Sequence, residues 1–115
     1  MVFSSLSKFD DEFKKLLKKY RSLEEDLTTL KSILEICPRG QEPGVVRISG
    51  LGINTEICKV KHFRCKALKN KGSRSGIRVI YAYFDPEKKI EFVEIYYKER
   101  DGIDCNKERV VKYYK

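Results

Sequence analysis

The residues best suited to chemistry in this sequence are basic, and they are crowded into one stretch. From Lys59 to Arg78 the chain reads KVKHFRCKALKNKGSRSGIR, carrying Lys59, Lys61, Arg64, Lys66, Lys69, Lys71, Arg74 and Arg78 with no Asp or Glu. Elsewhere both signs are mixed, so this stretch matches the whole formal excess of +8. Cations held so close repel one another in a folded state, and a polyanionic partner relieves that repulsion. RNA or DNA is the partner this implies, because its phosphates supply affinity independent of sequence. The competing reading is a solvated face that keeps a small domain soluble. Arg78 stands apart from the other seven, because it interrupts the apolar run Ile77-Arg78-Val79-Ile80-Tyr81-Ala82-Tyr83-Phe84. A guanidinium in such a strand is either paired across a hairpin, with Glu94 or Glu91, or open to a groove as a phosphate-binding group.

Other chemistries are poorly supplied. His62 is the only histidine, and on a basic strand it reads as a surface residue rather than a catalytic one. Cys37, Cys58, Cys65 and Cys105 include no C-x-x-C pair, so a zinc site would need scattered thiols. Reduced, mostly buried cysteines in a cytoplasmic protein are the expectation. No metal, organic cofactor or small-molecule ligand is indicated. No apolar run approaches the length of a membrane span, and the opening MVFSSLSKFDDEF meets acidic residues too early for a secretory signal.

The elements that would position the cations can be read from spacing. A chain of 115 residues, 41% apolar and with three prolines, predicts a single folded domain over 1–115. Val2–Leu6 predicts a short strand. Asp10 and Asp11 mark the start of a helix whose apolar face is Phe9, Phe13, Leu16, Leu17 and Tyr20. Ser22-Leu23-Glu24-Glu25 has the pattern of a capping box and predicts a second helix, striped by Leu23, Leu27, Leu30 and Leu34. The two helices would fold back as a hairpin; a single long helix is the alternative. The leucine stripe suits a core face better than a dimer seam. Pro38 to Thr55 reads as a connecting loop, with a short extended piece at Val45–Ile48. Ile57–Cys65 predicts a strand, Ile77–Phe84 a central strand, Asp85–Lys89 a turn, Ile90–Tyr97 its antiparallel partner, and Asn106–Tyr114 a last helix. The fold class expected is α+β, with helices on one face of an antiparallel sheet.

Three segments, FDDEFKKLLKKYRSLEEDL, KNKGSRSGIRVIYAYFD and IEFVEIYYK, together resemble the RelE/ParE superfamily of type II toxins, on its RelE side. The resemblance spans Phe9 to Tyr114, and the GSRSGIRVIYAY block with IEFVEIYYK is its most specific part. It implies a compact RelE-like domain: two N-terminal helices packed on an antiparallel sheet, with a short C-terminal helix. It further implies an endoribonuclease that cuts messenger RNA in the ribosomal A site, inhibits translation, and is silenced by a RelB-like antitoxin.

RelE-like enzymes rely on Lys, Arg and Tyr rather than paired histidines, and this chain holds seven tyrosines beside its one histidine. By the family pattern, Arg78 would stabilise phosphate charge in the transition state. Lys69 and Lys71 would bind backbone and help activate the 2′-OH. Lys98, or Arg100 with a slipped register, would stand near the leaving 5′-oxygen. Lys59, Lys61, Arg64, Lys66, Arg74 and Arg100 would bind RNA. Family members place a tyrosine just after the final strand, where this chain has Arg100-Asp101-Gly102-Ile103-Asp104. Tyr97, Tyr113 and Tyr114 are the candidates to replace it. Two other functions are compatible with the same fold: a ParE-like inhibitor of DNA gyrase acting by protein contact, and a decayed toxin that keeps only antitoxin binding.

Overall fold

Apolar residues three and four apart build the first two helices, and the break between them falls where the sequence places it. The computed structural model describes residues 1–68, 75–98 and 105–115. Strand β1 (Val2–Ser5) leads into helix α1 (Ser7–Lys19), which Tyr20 closes by donating its N–H to the Leu16 carbonyl at 2.8 Å. Helix α2 (Leu23–Ile36) starts at once. The first helix therefore begins at Ser7, earlier than Asp10, which lies in its first turn. Ser22 occupies the N-cap of α2, but its hydroxyl makes no capping bond. The capping-box pattern marks the right place, while the hydroxyl itself bonds residues distant in the chain, near Lys66.

Four strands follow in two hairpins: β2 (Val45–Ile48), β3 (Glu56–Val60), β4 (Ile77–Phe84) and β5 (Lys89–Tyr97), and then helix α3 (Lys107–Tyr114). The sheet order is β1-β5-β4-β3-β2. Strands β2 to β5 are mutually antiparallel, whereas β1 joins the free edge of β5 in parallel. The extended piece at Val45–Ile48 is thus a full edge strand. Its approach is tight: at Gly40, with φ +66°, an added Cβ would lie 2.5 Å from the Val45 side chain.

Strand alternation divides the sheet into two apolar faces. On the first, Ile77, Val79, Tyr81 and Phe92 pack against Phe9 and the leucines at 23, 27, 30 and 34. Each such side chain, fully buried, contributes about 1.5–3 kcal/mol. The leucine stripe is accordingly a core face. On the second face, Ile57, Ile80, Ala82 and Val93 pack against Cys105 and Val110. Helix α3 covers this second face, which corrects the expectation of helices on one face only. Its guanidinium at Arg109 reaches back to α1, donating from Nη1 and Nη2 to the Glu12 carboxylate at 2.8 and 2.9 Å and from Nη1 to the Val93 carbonyl at 2.9 Å.

One irregularity in the sheet decides which tyrosine shares a face with Arg78. The β4–β5 register shifts between Ile80 and Tyr81, with Ile80 opposite Glu94 but Tyr81 opposite Phe92. Val93 is the extra residue of a β-bulge, so Val93 and Glu94 both fall on the second face. Beyond the bulge, Ile95 and Tyr97 belong to the first face and Tyr96 to the second.

Candidate nucleic-acid interface

Arg78 lies on β4 directly opposite Tyr96, on the second face of the sheet. It is half-buried, and the one bond its side chain makes among the described residues is a long one, from Nη1 to the Ile77 carbonyl at 3.5 Å. Neither carboxylate expected to pair with it does so. Glu94 stands opposite Ile80, where its Oε1 accepts the Asn106 N–H at 2.7 Å and fixes the start of α3. Glu91 stands opposite Ala82 and accepts the Tyr114 hydroxyl at 2.6 Å. Both acids are committed to α3, which leaves the guanidinium of Arg78 without a carboxylate among the described residues.

Two other predicted residues share this neighbourhood. Lys59 on β3 is opposite Ile80, and so diagonal to Arg78 on the same face, a spacing of about 7–8 Å. Lys98 extends β5 by one residue, donating its N–H to the Gly76 carbonyl at 2.7 Å beside the start of β4. Lys61 is exposed one residue past β3, where its N–H bonds the Gly44 carbonyl at 2.7 Å.

The remaining described cations turn elsewhere, because the strand expected to run to Cys65 ends at Val60. Phe63 and Cys65 are instead buried in the first core, 2% and 1% exposed, and draw the chain towards α2. There the Asp26 carboxylate accepts the Lys66 N–H at 3.3 and 3.2 Å, and Ser22 Oγ accepts the Ala67 N–H at 2.8 Å. Ser22 also donates to Asp26 Oδ2 at 2.7 Å. The Ser22 hydroxyl, which the capping pattern assigns to the helix, thus fastens the basic segment to it. Lys66 itself pairs with Glu25, and Arg64 lines a groove with Asp26, Thr29, Leu30 and Ile33. Lys69, Lys71, Arg74 and Arg100 lie outside the described residues.

Of the tyrosine candidates, Tyr97 stacks on Tyr20 in the first core, with ring centroids 5.9 Å apart. Tyr114 is bonded to Glu91 and packed on Phe84, and burial pushes its hydroxyl pKa up. Tyr113 is exposed on α3. The tyrosine that faces Arg78 is Tyr96, which the family pattern does not single out; the hairpin register with its bulge is the signal that places it. Burial also raises the thiol pKa of Cys58 and of Cys65, so neither offers a ready thiolate at neutral pH. No group of His, Cys, Asp and Glu among the described residues is arranged to hold a metal ion.

No protein-family model matches the sequence, and no curated protein matches it. Among solved structures the chain is similar to one from the archaeal RelE–RelB complex of Pyrococcus horikoshii, with a TM-score of 0.58 and 17% identity. The match covers 86% of this chain and 96% of that one. At this identity the likeness speaks for architecture, and it agrees with an arrangement of helices and sheet that spacing alone had suggested. The chain has a RelE-like α+β fold.

Proposed function

We propose that this chain is the toxin of a toxin–antitoxin pair, an endoribonuclease that cuts messenger RNA in the ribosomal A site and acts in the cytoplasm. The observation that carries this reading is Arg78: a half-buried guanidinium on a central strand, opposite Tyr96 and diagonal to Lys59, with no carboxylate partner among the described residues. A half-buried cation without a counter-charge is costly, and a phosphate supplies what the fold withholds. The similar chain was solved in a complex with RelB, and a RelB-like antitoxin is the partner proposed here.

In the proposed reaction the 2′-oxygen attacks the adjacent phosphorus as the bond to the 5′-oxygen breaks, leaving a 2′,3′-cyclic phosphate and a 5′-hydroxyl. Arg78 stabilises the charge that grows on the phosphoryl oxygens. Lys98, at the strand end, donates the proton that the leaving 5′-oxygen takes up, while Lys69 and Lys71 bind the backbone and one of them, in its neutral form, accepts the 2′ proton. Lys59, Lys61, Arg64, Arg74 and Arg100 contribute phosphate contacts; Lys66 joins them when it leaves Glu25.

The test is a cleavage assay on defined messenger RNA, with and without programmed ribosomes, mapped by primer extension for wild type and Arg78→Ala. Cuts that need ribosomes and fall by about 10²–10³-fold in the variant are expected. Full cleavage by a folded Arg78→Ala protein would remove Arg78 from the site. No cleavage by folded wild type, together with inhibition of gyrase supercoiling, would replace the nuclease reading by the ParE-like one.

A further inference from the structure

A second concentration of positive charge lies away from the sheet. From Phe13 to Arg21 the sequence FKKLLKKYR holds Lys14, Lys15, Lys18, Lys19 and Arg21 and no acid. All five are exposed, and none forms an ion pair among the described residues. The acids of α1 sit in its first half, where Glu12 is taken by Arg109. Lys18 and Lys19 lie in the last turn, where the helix dipole favours them. Lys14 and Lys15 follow Asp10 and Asp11 by four residues, a spacing that supports the helix, while the like-charge pairs Lys14/Lys18 and Lys15/Lys19 oppose it.

This patch borders the first face of the sheet, whereas Arg78 lies on the second. Lys19 Nζ lies 5.5 Å from the Tyr20 ring centroid and 6.0 Å from that of Tyr97. Lys14, Lys18 and Arg21 line an open groove of about 600 Å³ together with Leu17 and Glu24. Tyr20 is buried, and it and Tyr97 spend their faces on each other, so this surface offers no platform on which unpaired bases could stack. A helical RNA, recognised through its phosphates, needs no such platform.

We propose that the last two turns of α1 form a second nucleic-acid contact, which grips the phosphate backbone of a double-helical RNA. That a scissile strand occupies the Arg78 face at the same time rests on the proposed nuclease function; the α1 contact itself does not.

The test uses the full chain with Lys14, Lys15, Lys18 and Lys19 all changed to Gln, four exposed positions whose folding is checked by circular dichroism. The probe is an RNA duplex of about 16 base pairs and arbitrary sequence, titrated by fluorescence anisotropy. Between about 50 and 200 mM salt, the slope of log K against log salt should become shallower by about 2–3.5, as expected for two to four lost phosphate contacts. Affinity near 100 mM salt should fall about tenfold or more, while Arg78→Ala stays within about twofold of wild type for the duplex. Loss of cleavage in Arg78→Ala is read separately, so failure of the nuclease reading leaves this measurement standing. An unchanged slope in the quadruple variant would overturn the inference. So would an equal loss of affinity for single-stranded RNA, or poly-L-glutamate bound as tightly as the duplex, which would indicate an acidic protein instead.

Discussion

Replacing Asp26 by Ala tests the way the basic segment is fastened to the helices. Asp26 is 4% exposed and accepts three hydrogen bonds, two from the Lys66 N–H and one from Ser22 Oγ. Alanine removes every one of these acceptors. It strands the Lys66 N–H and leaves the Ser22 O–H only the weak acceptor Cys65 Sγ at 3.7 Å, and a buried donor without a partner costs about 1–3 kcal/mol. Water reaches part of this region, so the two together should cost about 2–3 kcal/mol. For a chain of 115 residues, 1 kcal/mol moves the melting temperature by about 4 °C, and the expected fall is about 8–12 °C. Asp26→Asn keeps a carbonyl oxygen for the Lys66 N–H and should lose only about 1 kcal/mol. Thermal and urea melts followed by circular dichroism read both variants, with the urea slope unchanged if the native state alone is affected. An Ala variant within about 1 kcal/mol of wild type would refute the reasoning, as would Asn costing as much as Ala.

Two further outcomes are expected from the ion pairs. Arg109→Met should cost about 2–4 kcal/mol, because it leaves Glu12 and the Val93 carbonyl without their donor, and a cycle with Glu12→Gln should return a coupling of at least about 1 kcal/mol. A coupling near zero in urea melts would show that α3 is held to α1 by packing alone. The hydrogen bond from Arg39 holds the Glu56 carboxyl below its ordinary value of 4.5. Stability from that pair is therefore present above pH 4.5 and lost as pH falls through the lowered pKa. The melting-temperature gap between wild type and Arg39→Gln should be open at neutral pH and narrow as pH falls below 4.5; a gap of the same size in acid as at neutral pH would refute the link.

Much of the frame is legible in the sequence because periodicity is a local property. The break at Tyr20–Ser22, the leucine stripe and the β4–β5 hairpin all come from spacing. The strand from Ile57 does not run to Cys65, as the cations interleaved among Val60, Phe63 and Cys65 suggest, because Phe63 and Cys65 find their burial by turning to α2. Only tertiary partners, Asp26 and Ser22, decide that. Unbroken alternation from Ile90 would send Tyr97 to the face of Arg78 and Tyr96 into the first core; the bulge at Val93 exchanges them. That neither Glu91 nor Glu94 pairs with Arg78 is equally hidden in the sequence, since they are drawn away by Tyr114 and Asn106, residues far along the chain.

The placement of β1 also governs the order in which the molecule can assemble. Its ladder partner is β5, with Ser4 bonded to Glu91, 87 residues later, and the Arg109 that clasps Glu12 is 97 residues further on. A growing chain that has released β1, α1 and α2 holds an apolar helix face and a lone strand with no sheet to receive them. Such long separations slow folding and lengthen the time that apolar surface stays uncovered. They also mean that the face bearing Arg78 does not exist until β5 pairs with β4. Synthesis must run nearly to α3 before the chain acquires it, and a partner that met the chain earlier would find the helices but not the sheet.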